Sequence, residues 1–194
     1  QWLLNFLLEY KKKISLPFTC LTRGNELDED VVSALKKANC TNVFFGIETG
    51  NEKYRNEVMA KALTNRDIIR AAKNLRKYKI SYGTYNMIGL PGETLDDAFE
   101  TIKLNAKIKS QLPTCSILQP YPKTAIAEYA MHHGYLHTDY TADDFNFMTS
   151  GTILNIPFKK ELVNLNSFFL FAVRFPKFIP VIKILIKLPP NPLF

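Results

Sequence analysis

Residues 83–93, with the sequence GTYNMIGLPGE, constrain the fold of this chain more than any other stretch. They begin with residues that favour a β-strand, and they then break at Gly89, Pro91 and Gly92. An amphipathic helix pattern starts directly afterwards, at Thr94. A strand that passes through a Gly-Pro-Gly turn into a helix is one βα unit of an α/β protein. In such proteins the loops at the carboxyl ends of the strands hold the ligand.

The same alternation of strand and helix repeats along the first two thirds of the chain. The periodicity predicts strands at 16–22, 41–48, 80–88 and 114–119, and helices at 1–13, 28–38, 52–59, from 64 onward, 94–108 and 124–133. This order predicts a parallel sheet with right-handed crossovers. The spacing leaves open whether the sheet belongs to a barrel or to an open doubly wound fold.

Composition and charge exclude several classes of protein. With 46% hydrophobic and 22% charged residues, the chain is globular rather than disordered. Residues 158–194 carry five lysines and one arginine against one acid, a net +5 of the chain's +7. Because the basic excess is confined to this tail, we expect no nucleic-acid partner. No apolar run reaches the ~18 residues of a membrane span.

The three cysteines, Cys20, Cys40 and Cys115, lie far apart in the sequence. Their spacing matches neither a disulfide framework nor a local metal motif, so we expect free thiols in a reducing compartment. No secretory signal pattern is visible at the start of the chain. These observations predict a cytoplasmic protein.

The carboxyl-terminal region, residues 137–194, has a different character. Residues 161–174 form a helix candidate rich in phenylalanine, and residues 175–188 contain two prolines among aliphatic residues. Lys183 and Lys187 are four positions apart, so they share one helical face. This segment either packs on the domain or binds a membrane surface or a partner.

Polar residues at predicted strand ends are the candidate ligand-binding residues. Glu48 ends an apolar strand, where a carboxylate needs a partner. It either contacts a ligand or forms a structural ion pair with Arg23 or Lys61. Arg23 ends another strand, so it lies at the same edge of the sheet, the one formed by the carboxyl ends of the strands, which we call the rim. Asn86 lies within an apolar strand and needs its amide satisfied by a ligand or by the protein.

Gln119 and the three histidines are further candidate polar residues. Gln119 ends the fourth predicted strand, with the same two alternatives as Asn86. A metal site is conceivable at the three histidines His132, His133 and His137. However, the side chains of adjacent residues on a helix point about 100° apart, so His132 and His133 cannot easily face one ion. We therefore expect a solvated helix end there and no metal site.

Three segments together resemble the radical S-adenosylmethionine (SAM) superfamily. They are GIETGNE at 46–52, GTYNMIGLPGET at 83–94 and CSILQPYPKT at 115–124. The similarity covers about residues 1–136 and is greatest to the cobalamin-binding group of that superfamily. It implies an α/β fold that forms part of a (βα)6 TIM-like barrel, its third to sixth strands, followed by a helical extension over residues 137–194.

The resemblance also implies roles for individual residues. It places Glu48 at the ribose or amine of SAM, Lys61, on the following helix, at the SAM carboxylate, and Met87 against the adenine. From their positions in the predicted strands, we add Arg23, Asn86 and Gln119 as candidate cofactor-binding residues. The acid of the family's fifth-strand pattern stands one place late here, as Glu93.

The family's CxxxCxxC motif for a four-iron, four-sulfur cluster is missing from this chain. We therefore expect a carboxyl-terminal fragment, inert alone, whose cluster ligands lie in an amino-terminal half of the same protein. The implied function is reductive cleavage of SAM for radical chemistry, including cobalamin-dependent methyl transfer. It requires an electron donor and a small-molecule or lipid-like substrate. Two alternatives are a cluster-free TIM-barrel acid–base enzyme and a membrane- or partner-binding module that acts through the basic tail.

Overall fold

A computed structural model describes residues 1–141, 144 and 151–189 of the chain. The helices are α1 (Trp2–Lys13), α2 (Glu29–Lys37), α3 (Glu52–Glu57), α4 (Asn65–Lys77), α5 (Leu95–Ile108), α6 (Ala125–His132), α7 (Lys159–Arg174) and α8 (Ile179–Leu185). The strands are β1 (Phe18–Thr22), β2 (Cys40–Glu48), β3 (Ser81–Ile88) and β4 (Leu112–Ile117). They form one parallel sheet in the order β1-β2-β3-β4, which confirms the predicted α/β class.

Local sequence signals position the two long helices that support the sheet. Thr64 caps α4 and Thr94 caps α5, and each threonine exchanges hydrogen bonds with an aspartate three residues later. These capping boxes satisfy backbone amides that have no partner within the helix. They also set where each helix leaves the rim of the sheet.

The helices cover one face of the sheet and leave the other open. Val43, Phe45 and Ile47 of β2 are buried on the helical side. Leu21 and Leu112, at the two edges, point to the opposite side and expose 71% and 51% of their surface. Because strand side chains alternate between faces, the open face carries every second residue of each strand.

The fourth strand begins earlier than the sequence pattern predicts. The prediction was residues 114–119, whereas β4 runs from Leu112 to Ile117. The observed strand thus includes Pro113, which has no N–H for the ladder. In the sheet β4 pairs only with β3, so an edge position accommodates Pro113.

The carboxyl-terminal helices pack on the sheet layer, as one of the two alternatives predicted. Helix α7 contacts β4 and α5, and Ile182 and Ile186 enter the same core as Ile88 and Ile117. Lys183 Nζ lies 2.6 Å from the Asp96 carboxylate of α5. Of the polar and aromatic stretch 138–156, which the sequence predicts to be irregular, residues 142, 143 and 145–150 lie outside the described residues. No described helix is long and apolar enough to cross a membrane.

Two of the three cysteines lie closer together than their spacing in the sequence indicates. The Sγ atoms of Cys20 and Cys40 are 4.0 Å apart, because β1 and β2 are adjacent strands. All three thiols are free, as predicted. Cys115 lies on β4, two strands beyond β2, which corresponds to about 10 Å at the usual strand spacing.

Candidate functional site

Glu48 lies at the carboxyl end of β2 in an uncommon backbone conformation. Its φ is +66°, a left-handed value, and the pairing with β3 slips by one residue between Gly46 and Glu48. The carboxylate folds back over Gly46, where an added Cβ would stand 2.3 Å from Glu48 Oε1. Positive φ is uncommon for a residue other than glycine and costs free energy, so the surrounding structure holds Glu48 in this conformation.

Lys61 is the charged partner of Glu48. Its Nζ lies 2.8 Å from Glu48 Oε1, and the side chains of the lysine and the glutamate are 40% and 12% exposed, respectively. The structural ion pair left open by the sequence therefore forms. Lys61 was expected on a helix but lies in the loop between α3 and α4. Helix α3 ends at Glu57, and Ala60 and Ala62 of the loop that follows take left-handed conformations.

Arg23 lies beside this pair without contacting the carboxylate. Its guanidinium donates a hydrogen bond to the backbone carbonyl of Lys61, and its side chain is exposed. The predicted alternative of an Arg23–Glu48 ion pair is therefore wrong. Arg23 instead holds the loop that presents Lys61.

Arg55 is a buried residue that the sequence reasoning missed. It is fully buried on α3, and its guanidinium donates to the carbonyl oxygens of Ile47, Thr49 and Leu63 at 2.6–3.1 Å. Burial lowers its pKa to about 10, so it remains a cation at neutral pH. It ties both backbone segments that flank Glu48 to α3. The surrounding sequence EKYRNE reads as an exposed helix and contains no signal for this role.

Glu93 closes the turn that follows β3. Its Oε2 accepts hydrogen bonds from the backbone amides of Gly89 and Leu90, at 2.6 and 3.1 Å. Thr49 Oγ1, from the loop after β2, donates to Oε1 at 3.4 Å. Burial raises the pKa of Glu93 to about 7, although the two amide hydrogen bonds act in the opposite direction. Glu93, the acid that stands one place late relative to the family pattern, thus connects the loop after β2 with the loop after β3.

Asn86 points towards the helices, away from the face that carries Glu48. Its amide donates to Thr114 O at 2.8 Å, and its Oδ1 accepts from Asn105 Nδ2 at 2.7 Å. Thr84 belongs to the same buried network, through Asn105 and Ser110. Of the two alternatives for Asn86, the structure contains the structural hydrogen bonds.

Met87 and Gln119 lie at the rim ends of β3 and β4. Met87 is on the opposite face of β3 from Asn86 and is half-buried. Gln119 donates from Nε2 to the carbonyl of Gly151, whereas its buried Oε1 has no donor among the described residues. Buried acceptors without a donor are rare, so this oxygen can accept a hydrogen bond from a ligand.

The histidines do not form a metal site within the described part of the chain. His133 stacks on Tyr129 with ring centroids 4.0 Å apart, and His132 meets it edge-on. No three His, Cys, Asp or Glu side chains among residues 1–141, 144 and 151–189 could hold a metal ion together.

Comparison with known proteins gives relatives that include methyl-group enzymes. The chain is 32% identical over 126 residues to an uncharacterised methyltransferase of Pyrococcus horikoshii, covering 64% of this chain. It is 26% identical over 110 residues to the tRNA-2-methylthio-N(6)-dimethylallyladenosine synthase of a Sulfurihydrogenibium strain, covering 55% of this chain.

Solved structures share the fold at low sequence identity. The methyltransferase TsrM from Kitasatospora setae, with cobalamin and a [4Fe-4S] cluster bound, superposes over 66% of this chain with a TM-score of 0.57 and 19% identity. The coproporphyrinogen III oxidase HemN of Escherichia coli covers 80% with a TM-score of 0.58 and 15% identity. The predicted fold, a partial TIM-like barrel, is confirmed.

This chain spans between 25% and 32% of the length of these four proteins. The family model for the radical SAM superfamily matches residues 3–104, which include β1, β2, β3, Glu48, Lys61 and Glu93. The matched region is more than half of the 194 residues. The chain therefore belongs to the radical SAM superfamily.

Proposed function

We propose that this chain forms part of the SAM-binding wall of a radical SAM enzyme. The observation that carries the proposal is the position of the Glu48 carboxylate on the open face of the sheet. The left-handed backbone conformation of Glu48 and its ion pair with Lys61 hold the carboxylate there. A carboxylate fixed in this way accepts hydrogen bonds from an ammonium group or from ribose hydroxyls. SAM presents both kinds of donor.

The neighbouring residues fit the same cofactor. Gly46 has no side chain, so the Glu48 carboxylate can lie over β2 on the open face of the sheet. Lys61, being 40% exposed, has ammonium protons left to attract a carboxylate. Met87 supplies an apolar surface for an adenine, and Gln119 Oε1 supplies an acceptor. Arg23 supports Lys61 through the loop, and Asn86 supports β3 from behind.

The residues of this chain do not fit a four-iron, four-sulfur cluster. Such clusters need converging thiolates, but Cys20 and Cys40 lie on the helical side of the sheet and Cys115 lies two strands from Cys40. We propose that the cluster ligands come from an amino-terminal region of the same protein. When bound, SAM supplies the adenosyl group for radical chemistry. The role of Glu48, Lys61 and Met87 is to bind and orient it.

The finer proposal is cobalamin-dependent methyl transfer to a small-molecule or lipid-like substrate, with a separate electron donor. Two comparisons support it: a methyltransferase is among the relatives, and TsrM contains cobalamin. A second TsrM structure contains tryptophan and a SAM analogue, so an enzyme of this fold accepts a small-molecule substrate. We further propose that residues 1–136 are the radical SAM core and that 137–194 are its extension.

The test is SAM binding to the protein that includes the proposed amino-terminal region. Replacing Glu48 by glutamine should weaken SAM binding, measured by calorimetry, by about 1–3 kcal/mol, the usual cost of losing a hydrogen bond to a charged group. Glu57→Gln is the matched control, because Glu57 is exposed on α3 and 3.9 Å from Lys53. Unchanged affinity of a folded Glu48→Gln protein would refute the assignment.

A further inference from the structure

The outer side of α7 and α8 carries a continuous apolar surface. We call it the α7–α8 patch; it comprises Leu170, Phe171, Phe175, Phe178, Val181, Ile184 and Leu188. Each of these residues exposes between 40% and 68% of its surface. From Phe171 onward they are three or four residues apart, the spacing of residues that share one side of a helix, and Leu170 is adjacent to Phe171. The opposite side, with Ile182 and Ile186, is buried in the core.

The aromatic members of the patch are already in contact with one another. The ring of Phe171 lies 5.1 Å from that of Phe175 and 5.7 Å from that of Phe178. Pro176 begins the short turn that links α7 to α8, and this turn brings the three rings together. The rings therefore form a fixed apolar surface and need little reordering to bind an apolar medium.

Basic residues surround the patch, and acids are missing from it. From residue 162 to the end of the chain there is no Asp or Glu, whereas Arg174, Lys177, Lys183 and Lys187 are present. Lys183 pairs with Asp96. Within the described residues, no salt bridge neutralises Arg174, Lys177 or Lys187. Lys177 lies 5.4 Å from the ring of Phe178, so charge and apolar surface are in direct contact.

We propose that the α7–α8 patch binds the surface of an anionic lipid bilayer. Exposed aliphatic and aromatic side chains beside unpaired Lys and Arg are the combination that inserts at the boundary between headgroups and acyl chains. The basic residues add attraction to acidic lipids. The charge pattern favours this occupant over a protein partner, because protein interfaces pair charges of both signs at their rim. Here the acid Asp96 is already paired with Lys183, and the salt bridges of the described residues leave Arg174, Lys177 and Lys187 unpaired.

This binding would place the protein on a membrane surface while the sheet stays outside the lipid. The buried side of α8 keeps its packing against the core, so no unfolding of the helices is required. One side of these helices therefore packs on the domain, and we propose that the opposite side contacts the membrane.

The experiment is flotation of the 194-residue protein with lipid vesicles. Phosphatidylcholine vesicles are compared with vesicles that also contain phosphatidylglycerol, each at low and high salt. We expect binding to the anionic vesicles only, weakened by salt. Lys177→Gln with Lys187→Gln should weaken binding about 25-fold, since each cation near the surface contributes about fivefold. Phe175→Ser with Phe178→Ser should weaken it about tenfold or more.

Helix α1 provides a matched control, because it too has exposed aromatic residues and a basic end, but its Lys12 and Lys13 are paired with Glu9 at 3.2 Å. Trp2 and Phe6 are exposed and stacked, and three lysines follow. Trp2→Ser with Phe6→Ser should leave flotation unchanged. Circular dichroism checks the fold of each variant, and the single change Val181→Ser replaces the phenylalanine pair if that variant does not fold.

Several results would overturn the proposal. These are no flotation by the folded protein, equal flotation with phosphatidylcholine alone, or loss of flotation only in the α1 variant. Sedimentation without lipid tests for a second copy of the chain on the patch. A dimer that the phenylalanine variant disrupts, together with no vesicle binding, would assign the surface to self-association instead.

Discussion

Replacing Glu93 by glutamine should change how the stability of this protein depends on pH. The folded protein holds the pKa of Glu93 at about 7, against an ordinary value of 4.5, because burial disfavours the charged form. The unfolded chain therefore releases this proton near pH 4.5 and the folded chain near pH 7. Between these values the folded state carries the extra proton, so its stability falls as pH rises.

The size of the effect follows from the shift. A rise from 4.5 to about 7 corresponds to about 3 kcal/mol at 1.36 kcal/mol per pKa unit. This contribution is present below pH 4.5 and lost above pH 7. Glutamine does not titrate, and its carbonyl oxygen can accept the hydrogen bonds from Gly89 and Leu90. The variant should match the wild type near pH 4.5 and exceed its stability by about 3 kcal/mol near pH 8.

The assay is urea unfolding, followed by circular dichroism, of wild type and Glu93→Gln across this pH range. Taking the difference between the two proteins cancels the titration of groups that both contain. Glu100→Gln is the matched control, because Glu100 is exposed on α5 and paired with Lys103 at 2.7 Å. Its difference from wild type should stay within about 0.5 kcal/mol at every pH.

The opposite pH trend would refute this reasoning. If wild type gains stability over Glu93→Gln as pH rises, the two backbone amides stabilise the carboxylate more than burial destabilises it. A difference that does not vary with pH would show that the environment of Glu93 leaves its pKa unchanged.

Three further predictions test the rim and the cysteines. Arg55→Met should destabilise the protein by about 3–5 kcal/mol in urea unfolding, because buried carbonyl oxygens such as those of Thr49 and Leu63 lose their donor. Arg66→Met, at an exposed position, is the control and should have little effect. Gly50→Ala should cost about 1–3 kcal/mol, because its Cβ would stand 2.3 Å from the backbone of α5; Gly151→Ala, with open space around it, is the control. Anaerobic reconstitution of the 194-residue chain with iron and sulfide should yield neither stoichiometric iron nor deoxyadenosine, and finding both would contradict the cysteine geometry.

Local signals in the sequence determined the order of the elements. The capping threonines and the Gly-Pro-Gly turn act over a few residues, so the starts of α4 and α5 were predicted within one residue. The parallel sheet was also predicted from the sequence, because repeated strand–helix units permit few other connections. Glu48 was identified because an acid at the end of an apolar strand is conspicuous without any structure.

Tertiary structure alone decided the contacts between segments distant in sequence. The register slip that turns Glu48 over Gly46 depends on pairing with β3. The burial of Arg55 depends on carbonyl groups from the end of β2 and from the loop before α4. Cys20 and Cys40 meet because their strands are neighbours. Such features follow from the packing of whole elements, whose free energy is summed over many long-range contacts. A local pattern determines which element forms, whereas the packing of these elements decides which side chains they bring together.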